Sequence, residues 1–139
     1  MARVQITYPE KTLFTQDIPI RISDINYGKH LGHDTLVSIL HEARYGFFRH
    51  FGMNEADTDG MGILLVDLAV SYRAQVFHGQ TLRVEVAVSD VVTRGCDMVY
   101  KVTDKEKGAL VALARTGILF FDYKNRQVVN IPPSFQAIL

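Results

Sequence analysis

The sequence predicts an α+β fold, with a curved antiparallel sheet wrapped around one long central helix. Two observations carry that expectation. A single stretch, Leu36 to Phe51, holds a sustained helical period, and nearly everything after it reads as strand. One helix followed by a run of strands is the order that packs a helix on an antiparallel sheet. At 139 residues the chain has the length of one ordinary domain, so a single domain over residues 1–139 is expected.

Taken in order, a first strand is predicted from Leu13 to Ile22, with Ile18, Ile20 and Ile22 at period two. A polar loop, Ser23 to His33, follows and is punctuated by Gly28 and Gly32. In the helix, Leu36, Ile39, Leu40, Ala43, Phe47 and Phe51 recur at three- and four-residue spacing and mark one buried face. Asp34 or Thr35 is the expected cap at its start and Gly52 at its end. After a polar loop from Met53 to Gly60, residues 62–73 form an apolar run with Asp67 embedded in it. Leu82, Val84, Val86 and Val88 alternate with Thr81, Arg83, Glu85 and Ala87, the pattern of a half-buried strand. Met98, Tyr100 and Val102 alternate in the same way, and Asp104 to Gly108 reads as a turn. The run Ala109 to Phe121 is a further strand, with a turn at Lys124 to Arg126.

Hydrophobic residues make up 47% of the chain, including eight Phe and six Tyr, enough for a packed core. The 15 Lys and Arg balance the 15 Asp and Glu, so no global charge points to nucleic acid or an anionic membrane surface. Cys96 is the only cysteine, which rules out an intrachain disulfide. Residues 1–10 lack the apolar run of a signal peptide, and no stretch is long and apolar enough to span a bilayer, so a cytoplasmic location is expected.

The segment Arg21-Ile-Ser-Asp24-Ile-Asn26-Tyr-Gly-Lys29-His30-Leu-Gly-His33-Asp34 resembles the signature of the 4-hydroxybenzoyl-CoA thioesterase-like branch of the hotdog superfamily. That signature reads Arg-x-x-Asp-x-Asp-x-x-Gly-His-x-Asn-Asn and leads into the long helix. Ile39-Leu-His-Glu-Ala-Arg44, Val70-Ser-Tyr-Arg73 and Gly79-Gln-Thr-Leu82 are similar to further positions of the family, in the same order along the chain. The resemblance implies a hotdog fold and an acyl-CoA thioesterase. It also implies a homodimer or homotetramer whose sheets join edge to edge; the pairing strand is expected to be one of the apolar ones, such as residues 62–73. This sequence departs from the signature at several positions. Asn26 stands where the family's second Asp, commonly its catalytic carboxylate, would be; Lys29 replaces the Gly before His30; Gly32 and His33 replace the Asn pair.

Thioester hydrolysis needs a group to activate water and a group to hold the oxyanion. The family meets the second need with a backbone N–H at the helix start, where free N–H groups and the positive end of the dipole coincide. Residues 33–36 supply that whatever their side chains. The first need falls on other groups here, because the neutral amide of Asn26 is no base. Asp34 and His30, four apart, are the candidate base pair, with Asn26 as the orienter and Asp24 as a further carboxylate. His33, Lys29, Arg73 and Asp67 are candidate substrate-binding residues, with Arg94 and Lys101 as further cations for CoA phosphates. Asp34 is equally suited to capping the helix, and Asp24 to closing a turn. Glu42 and Arg44 read as anchors of the helix, and Cys96 as incidental. His30, His33 and Asp34 lack the further ligand of a metal motif, so neither a metal nor a cofactor is expected. The expected partner is an acyl-CoA or an acyl carrier protein. Two other readings stand beside hydrolysis: a hydratase or dehydratase using Asn26 and His30, and a non-catalytic acyl-thioester binding module.

Overall fold

The computed structural model describes residues 1–139. The elements run β1 (Phe14–Pro19), a 3₁₀ turn (Ile22–Asp24), α1 (His33–His50), β2 (Gly62–Tyr72), β3 (Thr81–Ser89), β4 (Gly95–Asp104), β5 (Leu110–Asp122), β6 (Gln127–Val128) and α2 (Pro133–Gln136). All strand pairs are antiparallel, in the order β1-β3-β4-β5-β2, with β6 on the end of β5. This is the α+β arrangement expected from the sequence.

The helix face read from the spacing is the buried one. Leu36, Ile39, Leu40, Ala43 and Phe47 are all below a tenth exposed. They share one core with Leu82, Val84 and Val86 of β3, Met98, Tyr100 and Val102 of β4, and Ala112, Ala114, Ile118 and Phe120 of β5. Phe47, Phe48 and Phe120 close on Phe135 of α2, with ring centroids 6.3, 5.8 and 4.9 Å away. The opposite face of the sheet carries charge instead, as on a sheet with one side in solvent. There Arg83 and Lys105 meet Asp17, each at 3.0 Å, and Arg115 meets Asp67 at 3.0 Å.

The two ends of α1 differ from each other, and one differs from expectation. At the C-terminal end, Gly52 has φ +74°, its N–H bonds Arg49 O, and Met53 N–H bonds Phe48 O at 2.8 Å. That pair of bonds with a left-handed glycine is a Schellman stop, as Gly52 predicted. At the N-terminal end the cap is neither Asp34 nor Thr35 but Gly32, with no side-chain cap bond. A side-chain carbon on Gly32 would lie 2.7 Å from Asp34 Oδ1 and 3.3 Å from Thr35 Oγ1, so those two side chains fold back into the space a cap residue would fill. The helix therefore starts at His33, and His30 stays in the loop rather than sharing a helical turn with Asp34.

The first strand is also shorter than its isoleucine pattern suggested. Ile20 N–H still bonds Gln80 O, but the chain then turns through the 3₁₀ segment and leaves Ile22 70% exposed. Asp24 drives that turn, because its Oδ2 accepts from the Arg21 backbone N–H at 2.8 Å.

Candidate active site

A cleft of about 450 Å³ opens where the 26–33 loop, the first turn of α1 and the end of β2 meet. Leu31, Leu36, Val76 and Val111 give it an apolar floor, while Asn26, His30, His33, Tyr72 and Arg73 stand around it. The loop is tied down by its own backbone. Asn26 N–H bonds His30 O at 2.9 Å, Leu31 N–H bonds Val76 O at 2.7 Å, and Gly32 N–H bonds Asp24 O at 3.3 Å.

Four of the eight residues singled out from the sequence come together in this cleft. Asn26 Oδ1 accepts from Gly28 N–H at 2.9 Å, an Asx turn that leaves its NH₂ group free to donate. His30 Nδ1 lies 3.1 Å from Leu31 O; donating there, it leaves Nε2 as the acceptor. That Nε2 and Asn26 Oδ1 both stand beside Gly28, where a side-chain carbon would lie 3.1 Å from one and 3.2 Å from the other. His33 is the first residue of α1, and Arg73 stands on the opposite wall with its Nε donating to Ser71 Oγ at 2.9 Å.

The other four lie outside its lining. Asp34 is the second residue of α1, exposed, with its carboxylate beside Gly32. Asp24 is buried and faces a second cleft lined by Asp17, Thr35 and Glu42. Burial pushes its carboxyl up, but hydrogen bonds from the Arg21 backbone and guanidinium outweigh that and hold it below the usual carboxylate range. Lys29 sits at an exposed turn with φ +69°. Asp67 belongs to β2, where a bulge between Leu65 and Asp67 lets its Oδ1 accept from Gly117 N–H and Arg115 Nη1, each at 3.0 Å. It lines a groove of about 380 Å³ between α1 and β2, together with Val37, His41 and Leu68. Of the further cations, Lys101 lies on the outer face of β4, 4.0 Å from Glu85.

Two features escaped the sequence reading of the site. Tyr72 belongs to the cleft wall, and its hydroxyl donates to His33 O at 2.8 Å. Burial, and then the charge of Asp34, push that phenol above its ordinary value. Arg44, expected as an anchor, is 4% exposed and donates to Glu55 Oε1 at 2.9 Å; Glu55 Oε2 lies 3.4 Å from His41 Nε2. The partner Glu55 sits in the 53–60 loop, which the helix pattern alone does not bring back to α1. Cys96 is buried and its thiol is pushed up to about 12, chiefly by burial, in keeping with an unreactive role.

The sequence model of the thioesterase-like superfamily matches residues 20–139. The chain belongs to that superfamily. Among solved structures, this thioesterase-like chain is similar to a 1,4-dihydroxy-2-naphthoyl-CoA thioesterase from Synechocystis, at a TM-score of 0.82 and 16% identity, over 90% of this chain and 93% of that one. A DHNA-CoA thioesterase from Staphylococcus aureus aligns at a TM-score of 0.79 and 18% identity, over 89% and 86% of the two chains. A second Staphylococcus aureus protein, solved in complex with CoA, aligns at 0.83 and 16% identity, over 96% and 85%. At such identities the likeness shows the hotdog fold. A comparison with curated protein sequences finds no significant match.

Proposed function

We propose that this chain hydrolyses an acyl thioester carried by CoA or by an acyl carrier protein, in the cleft at the start of α1. The observation that carries the reading is the first turn of the helix. The first N–H groups of a helix have no helical acceptor, and here Gly32 offers no side-chain acceptor either; the turn opens on the apolar cleft through Gly32, His33 and Leu36. A thioester carbonyl seated there gains negative charge as water adds, and the N–H groups and the dipole end stabilise it in the transition state more than in the ground state. Asp34 and His30 are the bases we assign to the attacking water, with the Asn26 amide orienting it and Asp24 bracing the loop. The base takes a proton from water and hydroxide adds to the carbonyl carbon. The C–S bond then breaks, and the thiolate leaves with the proton returned.

Leu31, Leu36, Val76 and Val111 offer the acyl group an apolar surface. Arg73 at the rim, with His33 and Lys29 nearby, suits the phosphates of CoA, and the structural relative solved with CoA supports that carrier. Asp67, the fourth residue assigned to substrate binding, borders the separate groove between α1 and β2. We further assign a homodimer or homotetramer joined through β2.

Purified protein assayed on acyl-CoAs of graded chain length and on aryl-CoAs should release free thiol from at least one. No thiol from any member of the panel would sink the hydrolase reading. The presence of Asn26 and His30 in one cleft favours one second reading, a hydratase acting on the acyl β-carbon. Loss of the enoyl-thioester ultraviolet band without thiol release would select it.

A further inference from the structure

We propose that Tyr72 is a positioning residue for this reaction, holding the first turn of α1 so that its free N–H groups stay aimed at the thioester carbonyl. The inference rests on the hydrolase reading above and adds to it a cleft-wall residue whose part is to hold the helix start rather than to move a proton.

Helix ends fray, and an N-terminus is ordinarily held by a Ser, Thr, Asp or Asn side chain at the cap. Here the cap is Gly32, with no side chain to do so, and the space around it is taken by Asp34 and Thr35. The first turn is therefore held from outside the helix. Across residues 33–36, the one side-chain hydrogen bond is that of Tyr72, whose hydroxyl donates to His33 O at 2.8 Å. In α-helical register that same carbonyl receives the Val37 N–H, so Tyr72 braces the first complete turn at its origin. Tyr72 is also the last residue of β2, a strand joined to β5 along its length, so the brace is anchored in the sheet rather than in a loop. Burial and the neighbouring Asp34 charge keep the phenol protonated, hence a donor, across the neutral range.

The oxyanion contact depends on aim. A displacement of about 1 Å at such a site costs up to roughly a hundredfold in rate. The test is Tyr72→Phe, which keeps the ring and removes only the donor. We expect kcat to fall roughly tenfold or more while KM stays within about twofold, because the lost aim matters in the transition state. We also expect amide hydrogen exchange at Leu36 and Val37 to quicken by about fivefold to tenfold, the effect of one lost hydrogen bond. A purely structural role would lower the melting temperature and leave kcat of the folded protein intact. Unchanged exchange at Leu36 and Val37 overturns the brace, and quickened exchange with unchanged kcat overturns its part in the reaction. A wild type that cleaves no thioester sinks the hydrolase reading, and the catalytic part of this proposal with it. The exchange rates would then still decide whether Tyr72 holds the turn.

Discussion

At the scale of single residues, the proposed site turns on Asn26, a neutral amide where the resemblance leads one to expect a carboxylate. If Asp34 supplies the base in place of Asn26, Asp34→Asn lowers kcat by roughly a hundredfold or more with little change in KM. The helix tolerates the change. Asp34 is the second helical residue rather than the cap, so only its favourable charge at the dipole end is lost, about 0.3–1 kcal/mol. Steady-state kinetics beside a thermal melt separates the two effects, and a wild-type kcat in the variant moves the assignment to His30 or Asp24. Asn26→Asp is the converse test, and it adds little if Asp34 already works. Asp24 bears a different prediction. Its folded pKa is lowered, so its contribution to stability is complete above its unfolded value near 4 and is lost as pH falls through the folded value. Asp24→Asn should cost about 1.5–3 kcal/mol at pH 7, and its deficit against wild type should shrink below about pH 4. Melts across pH 3–7 would show this, and a deficit that does not change with pH would mean the Arg21 bonds do not depend on the charge. The sequence displayed these residues but not their neighbours. Asn26, His30 and His33 sit close along the chain and could be read together. Tyr72 is thirty-nine residues from the carbonyl it braces, and only the fold brings them to one point.

At the scale of elements, periodicity was legible wherever a side-chain face is buried, and less so where backbone packs on backbone. The helix face and the β3 alternation follow from side-chain burial, so they could be read directly. The start of β4 could not. The alternation begins at Met98, yet the strand starts at Gly95, because a residue without a side chain fits there against the Ile118 carbonyl of β5. In a sequence, glycine reads first as a turn; in this sheet it marks a close backbone approach. A methyl group at that position would collide with Ile118 O and lie 2.9 Å from Leu119 Cδ2. Gly95→Ala should therefore destabilise by about 1–3 kcal/mol, the range of overpacked sites, despite alanine's lower entropy cost. A urea midpoint equal to or above that of the wild type would show that β4 and β5 can part there without loss.

At the scale of the whole molecule, one edge of the sheet is blunted and the other is open. β1 at one end is six residues long and ends in a proline, both of which blunt an edge. β2 at the other end has eleven residues with Asp67 as its only charge, and its free side exposes a row of N–H and C=O groups. Leu65, Val66 and Leu68 are 52%, 54% and 46% exposed, far more than their neighbours on the inner strands. An antiparallel strand is its own complement under a two-fold axis, so a second β2 satisfies both the backbone row and the apolar side chains in one step. A stable pairing needs about 800 Å² from each partner, more than a two-strand contact alone supplies. The α1–β2 groove beside Val37, His41 and Leu68 is the adjoining surface available to complete it. Light scattering at micromolar concentration should therefore give at least twice the 15.7 kDa chain mass. Leu65→Glu with Leu68→Glu should halve it. Both side chains are already about half exposed in the single chain, so the charges cost the monomer little and act on the interface. The double variant should keep its far-ultraviolet circular dichroism while it loses mass. A wild type that runs as a monomer would leave the β2 edge to solvent and remove the assembly from the proposed function, whereas a charged variant that stays dimeric would move the interface to another face.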